Sequence, residues 1–201
     1  MAAYSAIAAA SKSLERLLTQ RFATDRPVPA PAVTRAALVR TDDFDLGGQT
    51  VIKPPVLTLF LVRVEVNRVM RAGWSAVGAV TERSHLPLDL HFLLTPWAAN
   101  AEYEQRILGS AMRCLEDTPI LSGPLLDTSH APGWATEDAL HVTPGDLGAD
   151  GIMRIWDTLD ADYRLSVPYL ARIIRIDGVE APTVPPVLTA IAGIKPAVEE
   201  P

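Results

Sequence analysis

The residues best suited to metal chemistry lie on one predicted strand, Leu86–Leu94, or next to it. Strand alternation puts Asp89 and His91 on the same face, where two side chains could bind one metal ion. His85 shares that face, but it lies six residues from His91, which is about 20 Å in a strand, so the two histidines cannot share an ion. Asp89 and His91 are the best candidate ligands of a small metal-dependent hydrolase. A strand face that meets a helix or another chain explains them with fewer assumptions.

The single cysteine, Cys114, lies towards the C-terminal end of a predicted helix over residues 101–117. A reactive thiolate is favoured near a helix N-terminus or a cation, and the C-terminal end of the helix dipole disfavours it. One cysteine also argues against an internal disulfide and a multi-cysteine zinc site. We therefore expect Cys114 to fill the core, and we expect Glu102 and Arg106 to form a stabilising pair on the exposed side of the helix.

The remaining motif candidates fail on spacing. The glycine turns in "LGGQ" and "LSGP" lack the spacing of a serine nucleophile turn or of a phosphate-binding loop. The acids Asp157, Asp160 and Asp162 lack the glycine and the terminal glutamate of a calcium loop. The sequence therefore predicts no catalytic residue, no cofactor and no bound metal, and we do not expect an enzyme.

Composition limits the kinds of partner. The 201 residues carry a net charge of -6 without a run rich in Lys and Arg, so nucleic acid is not an expected partner. The N-terminus lacks the basic segment of a secretory signal, and no stretch approaches the roughly 18 apolar residues of a membrane span. We expect a cytoplasmic protein that does not contact a membrane.

The elements that position these residues indicate an α+β fold, a mostly antiparallel sheet with packed helices. The pattern predicts helices over 3–22, 101–117 and 150–159, long strands over 56–67, 86–94 and 163–177, and short strands in "TRAALVRT" and "ALHVT".

Prolines and glycines set the expected boundaries. Pro96 is expected to end a strand, Thr143 and Pro144 to start a helix, and Pro168 to mark a sheet edge or a bulge. Residues 70–84 are predicted to form a long connection. The domain organisation predicted from these boundaries is one domain over 1–178 and a proline-rich C-terminal arm over 179–201.

Tryptophan and arginine accumulate at the ends of the predicted elements. These residue types are enriched at interfaces between proteins, where they act as anchors. The candidates are Arg63, Arg68, Arg71, Trp74, Trp97 and Trp134. An open sheet edge and extended proline-rich segments offer further ways to contact neighbouring chains. The sequence therefore favours a protein whose function is to bind its neighbours.

Five stretches resemble a known family. "LFLVRVEVNRVMR", "LPLDLHFLLTPWA", "AEYEQRILGSAMRCLEDTPILSGPLL", "LHVTPGDLGADGIMRIWDTL" and "YRLSVPYLARIIRID" occur in the order found in cap, or tail-terminator, proteins of contractile injection systems. These systems are phage-tail-like particles with an inner tube and a contractile sheath. The resemblance covers about residues 5–177, and it supplies no catalytic residues.

The resemblance implies a structural role and specific partners. A family member forms a homo-hexameric ring at the end of the tube far from the baseplate, where it ends tube and sheath growth and anchors the sheath. On that basis we expect ring and tube contacts at residues 70–84, Arg63, Arg68, Arg71, Trp74 and Trp97. The sheath contact is expected on the proline-rich arms. The particle would be assembled in the cytoplasm and could be released with the cap.

Three alternatives remain open on the sequence. A related ring-forming tail component, such as a baseplate adaptor or the terminator of a true phage, would share the fold and differ in its position on the particle. A metal-dependent hydrolase would use Asp89 and His91. A cap that docks to a membrane through its C-terminal arm is disfavoured, because the arm is short, broken by proline and acidic at its end.

Overall fold

One mixed sheet organises the chain. A computed structural model describes residues 4–45, 51–74, 85–129, 134, 138–159 and 161–178, without the side chains of residues 72–74 and 173. Within these residues lie four helices and six strands: α1 Ala6–Asp25, β1 Arg35–Val39, β2 Val56–Val66, α2 Arg68–Trp74, β3 His85–Trp97, α3 Ala101–Asp117, β4 Ile120–Ser122, β5 Ala139–Pro144, α4 Ala149–Trp156 and β6 Val167–Asp177. The strand order is β1-β2-β3-β6-β5-β4. The pair β1 and β2 is parallel and the others are antiparallel, which confirms the predicted α+β class.

The first face of the sheet is covered by α1 and α3. The alternating apolar residues of β3 that include Leu88, Leu90 and Phe92 are buried in this core, as the sequence pattern predicts. Helix α3 begins where predicted, because the Asn100 side chain accepts a hydrogen bond from the N–H of Tyr103 at 2.9 Å. Cys114 is fully buried in the same core.

The second face of the sheet is divided along the strands. At one end, a 3₁₀ turn over Thr41–Phe44 and α4 cover an aromatic cluster, which consists of Phe44, Phe60, Trp97 and Trp156. At the other end the same strands present charged side chains. Because a bulge at Val62 shifts the register, Arg63 lies opposite His91 and Glu65 lies opposite Asp89.

The outer edge of β1 is closed by side chains of α1. The N–H of Ala36 donates to Thr19 Oγ1 at 3.0 Å, and the N–H of Leu38 donates to Glu15 Oε1 at 3.2 Å. These side chains occupy donors that would otherwise pair with an added strand. The predicted open sheet edge is therefore not found at β1.

Three boundary predictions about prolines were wrong. Strand β3 continues through Pro96 to Trp97. Its pairing with β6 has already ended at Leu94, so the N–H that Pro96 lacks is not needed there. Thr143 and Pro144 end β5 and do not start a helix. Strand β6 lies inside the sheet. Pro168 is tolerated there because its carbonyl and its nitrogen both face the end of β5, next to Gly145, where the pairing of the two strands stops.

Two short elements were missed. Helix α2 forms at the start of the segment predicted as a connection over 70–84, and residues 75–84 lie outside the described residues. Strand β4 forms in "ILS", where a turn was predicted. The predicted arm, 179–201, also lies outside the described residues, so the domain boundary at 178 stays a prediction.

Candidate assembly surface

The charged half of the second face, Arg63, Glu65, Asp89 and His91, is an ion-paired patch. The Arg63 guanidinium lies 3.0 Å from the Glu65 carboxylate and donates to His91 Nε2 at 3.2 Å. Arg63 and Glu65 are exposed, and Asp89 and His91 are partly buried. The patch presents fixed charges to any chain that packs against this part of the sheet.

His91 is held neutral by its surroundings. Burial lowers its pKa, the positive charge of Arg63 lowers it further, and the nearby carboxylates of Glu65 and Asp89 oppose the shift without reversing it. A neutral imidazole can accept the hydrogen bond that Arg63 donates to Nε2. The Glu65 carboxylate lies 3.4 Å from the same nitrogen.

Asp89 positions α2 through Asn67. The Asn67 side-chain amide donates to both carboxylate oxygens of Asp89, at 3.2 and 3.1 Å. The Asn67 side-chain oxygen accepts from the N–H of Met70 at 3.0 Å, which caps the first turn of α2. The Asn67 backbone N–H donates to Pro87, so strand and helix are joined rigidly at this corner. The sequence analysis missed Asn67, although an asparagine immediately before a helical segment is a recognisable cap signal.

The proposed metal pair is therefore engaged in other contacts. Asp89 accepts two hydrogen bonds from Asn67, and His91 accepts one from Arg63. Among the residues that the structure describes, no group of three or more His, Cys, Asp or Glu side chains could hold a metal ion. The other histidine of β3, His85, pairs with Asp177 of β6 at 2.7 Å.

Helix α2 carries an exposed basic surface, which we call the knuckle: Arg68, Val69 and Arg71. Both arginines are exposed, and Val69 is 86% exposed between them. Arginine is enriched at interfaces between proteins, and Val69 adds an apolar contact between the two cations. The side chain of Trp74 and the connection after it lie outside the described residues, so their interface role stays a prediction.

Trp97 has a packing position. Its side chain is 3% exposed, within the aromatic cluster. The Arg164 guanidinium lies 4.4 Å from the ring centroid and also pairs with Glu104 at 3.2 Å, which ties the start of α3 to the segment before β6. In the isolated chain the ring has almost no surface to present to a neighbour. Its structural role is to hold the β3–α3 corner.

A chain of buried hydroxyl groups satisfies both tryptophans of the cluster. Trp97 Nε1 donates to Thr58 Oγ1 at 3.1 Å, and that hydroxyl donates to the carbonyl of Thr95 at 3.1 Å. Thr95 Oγ1 lies 2.8 Å from Ser166 Oγ, which accepts from Trp156 Nε1 at 3.2 Å. The network links β2, β3, α4 and the start of β6, and leaves neither indole N–H unpaired.

Beside the aromatic cluster, α4 and the segment after it form a hollow of about 460 Å³. We call it the α4 hollow. Its lining consists of Met153, Trp156, Asp157, Leu159, Ala161, Asp162 and Tyr163. The sequence analysis considered two of these acids only as calcium ligands and did not predict a concave surface. All of these residues belong to α4 or to the segment directly after it, and Trp156 anchors α4 to the sheet.

The remaining candidates are structural. Burial raises the pKa of Cys114, and the nearby Arg21 guanidinium opposes this shift only in part, so the thiol is not activated. The predicted pair Glu102 and Arg106 forms at 3.7 Å. Trp134 donates to the carbonyl of Asp127 at 2.8 Å and packs against the first core.

None of the described helices is long and apolar enough to cross a membrane. No curated protein matches the chain in sequence. Solved structures do match: the PVC sheath/tube terminator of an extracellular contractile injection system, in its extended state, has a TM-score of 0.54 at 14% identity, covering 95% of this chain and 62% of that chain. The anti-feeding prophage cap, a tube terminating cap, has a TM-score of 0.44 at 13% identity, covering 68% of this chain and 48% of that chain.

The likeness to the PVC sheath/tube terminator shows a shared fold, and this chain spans 62% of that protein's length. The family described as the Pvc16 N-terminal domain matches residues 9–190, which is most of the sequence. That match confirms the resemblance drawn from the five stretches. The chain belongs to the Pvc16 N-terminal domain family.

Proposed function

We propose that this protein is a structural cap, or tail terminator, of a contractile injection system. The observation that carries the proposal is the family match over residues 9–190, on a chain that shares its fold with a sheath/tube terminator. The cap forms a ring at the end of the particle far from the baseplate, where it ends inner tube and sheath growth and anchors the sheath to the tube.

A structural role agrees with how the reactive side chains are used. Asp89 holds Asn67, His91 accepts from Arg63, and Cys114 lies in the core with a raised pKa. Each of these groups has a packing or positioning role that accounts for its place. On this proposal the chain acts as a scaffold that presents surfaces.

The proposed partners are further copies of this chain in a homo-hexameric ring, the inner tube protein and the contractile sheath protein. Ring and tube contacts lie at Arg63, the knuckle, Trp74 and the connection that follows. Trp97 supports them from the core, since its ring is buried. The sheath contact lies on the proline-rich segments, Pro27–Pro31 and 179–201. The protein is assembled in the cytoplasm into the particle and leaves the cell if the particle is released.

The first test is electron microscopy of particles from cells that lack this gene. Tubes of abnormal length, without a cap or without a stable sheath, are the expected result. Particles of normal length, normal contraction and an ordinary distal end would overturn the proposal. A gold label on this chain at the baseplate would favour the alternative of a baseplate adaptor.

The placement of the contacts is tested by complementation. The double variant Arg68→Glu and Arg71→Glu reverses both charges of the knuckle, so we expect folded protein that fails to cap the particles. The matched control is Arg106→Glu, which reverses an exposed charge on α3 and is expected to leave capping intact. Normal caps in the double variant would refute the placement on α2.

A further inference from the structure

The α4 hollow combines exposed apolar side chains with carboxylates. Met153 is 52% exposed and Tyr163 is 56% exposed, and both line the hollow. Asp157 and Asp162 are exposed beside them and also line it. The floor is closed by the buried Trp156, whose ring meets that of Tyr163 edge-on at 6.5 Å. The surface is therefore apolar at its base and negative around it.

Such a surface suits a partner that is aliphatic at its tip and positive around it. Burying the rings and the thioether of the hollow removes apolar surface from water, which favours association. Carboxylates left around such a contact favour Lys or Arg on the partner. Arg154 is an exposed cation on the same helix, but it does not line the hollow.

The knuckle of α2 has the complementary character. Val69 is its apolar tip, and Arg68 and Arg71 are its two cations. The match is one of charge sign as well as of polarity: two arginines flank a valine on α2, and two aspartates accompany a methionine and a tyrosine at the hollow.

The two surfaces lie at opposite ends of the sheet. The knuckle begins next to Asn67, which is bonded to Pro87 near the start of β3. The hollow lies beside Trp156, whose ring centroid is 6.4 Å from that of Trp97 at the end of β3. Ten residues of strand separate Pro87 from Trp97, which is about 33 Å. One copy therefore cannot fill its own hollow with its own knuckle.

We propose that the knuckle of one copy inserts into the α4 hollow of the next copy. The contact is heterologous, because it joins two different patches, and repetition of such a contact closes a ring when the rotation between neighbours allows it. Arg68 and Arg71 pair with Asp157 and Asp162, and Val69 packs on Met153 and Tyr163. The inference rests on the proposed function for the closure of the ring, but the contact between copies is testable alone.

Cross-linking tests the contact directly. The chain with Val69→Cys and Met153→Cys is produced in its native host and treated in living cells with a short, permeable bismaleimide. We expect a ladder of covalent oligomers that ends at the size of the closed ring. Each single variant alone is expected to give none. Cysteine at Met112, an exposed position on α3, replaces the hollow cysteine in the matched control and should not cross-link with position 69. Absence of cross-links in the double variant would overturn the proposal.

A charge swap tests the specificity of the pairing. Arg68→Glu with Arg71→Glu, and separately Asp157→Arg with Asp162→Arg, are each expected to abolish the ladder from positions 69 and 153. The quadruple variant exchanges the signs and is expected to restore it. Loss in the quadruple variant, with wild-type thermal stability, would contradict the pairing of these four residues, and so would an unchanged ladder in either double variant.

The two proposals fail separately. If the double-cysteine chain gives a full ladder but particles from cells without the gene have normal ends, the contact between copies stands and the terminator role is rejected. Capped particles from a chain that gives no ladder would retain the terminator role and reject this interface.

Discussion

The two halves of the second sheet face lie on the same strands but differ in burial and in side-chain chemistry. In one half, β2 and β3 contribute the partly buried Phe60 and the buried Trp97 to the aromatic cluster that α4 covers. In the other half, past the bulge at Val62, the same strands expose Arg63 and Glu65 opposite His91 and Asp89. The bulge at Val62 and the placement of α4 decide which half is core: the bulge turns Arg63 and Glu65 towards the second face, and α4 covers only the other end.

Substitutions in the two halves should therefore have different effects. A change in the aromatic half disturbs a packed cluster and should reduce the free energy of unfolding. A change in the charged half, or on the knuckle next to it, removes exposed groups and should reduce assembly while the fold persists. Stability measured for variants of both halves tests this contrast.

The largest effect is expected from Trp97→Ala. The substitution removes a buried ring, its hydrogen bond to Thr58 and its contact with Arg164. Large-to-small changes of this kind lower the free energy of unfolding by about 3–5 kcal/mol. Urea unfolding followed by circular dichroism measures it, with Trp97→Phe as the control that keeps an apolar ring. A loss below about 1 kcal/mol would show that the cluster is not a true core.

A smaller loss is expected from Thr58→Val, which keeps the volume and removes the hydroxyl. The indole N–H of Trp97 is then left without its acceptor in a buried site. An unsatisfied buried donor lowers the free energy of unfolding by about 1–3 kcal/mol. Thr58→Ser retains the hydroxyl and should recover much of the loss in the same urea assay. Equal stability of the valine variant and the wild type would contradict the role given to the hydroxyl chain.

The charged half should show a weak pH dependence through His91. Its pKa is lowered in the folded protein by burial and by Arg63, so the unfolded chain binds the proton more tightly. The contribution to stability is complete above the usual histidine pKa of about 6.5 and decreases as the pH falls through that value. His91→Gln should flatten the melting temperature between neutral pH and about pH 5 relative to the wild type. If the melting temperature of that variant kept the pH dependence of the wild type, another group would be responsible for it.

The smallest change in stability is expected on the knuckle. Arg68 and Arg71 are exposed, so the double substitution to glutamate should alter the free energy of unfolding by less than about 0.5 kcal/mol. The same variant is expected to fail in capping. If its melting temperature fell as far as that of Trp97→Ala, the loss of capping would reflect unfolding, and the contrast between the two halves would disappear.

Local patterns were enough to predict the long elements. Alternation in β2 and β3 gave two strands and the buried face of β3, and Asn100 gave the start of α3. These features depend on residues within a few positions of one another, which is what a sequence pattern reports. The helical position and apolar surroundings of Cys114 likewise predicted a buried, inert thiol.

The failures concern long-range pairing. Pro168 argued for an edge strand, but β6 lies in the interior because β5 and β3 flank it, and the sequence does not state which strands become neighbours. The burial of Trp97 follows from α4, more than fifty residues later in the chain. The role of Asp89 as a support for Asn67 also arises only when distant segments meet. The two arginines of the knuckle were predicted as interface residues, but the helix that carries them was not predicted.

The α1 side chains that close the outer edge of β1 have a consequence before assembly. A strand with free N–H groups on a sheet edge would invite any extended chain nearby, including a nascent copy of the same protein, to extend the sheet. Thr19 and Glu15 occupy the donors of Ala36 and Leu38 with groups that cannot propagate a ladder. A nascent copy therefore finds these two donors of β1 already occupied, which lowers the tendency of copies to join edge to edge before assembly.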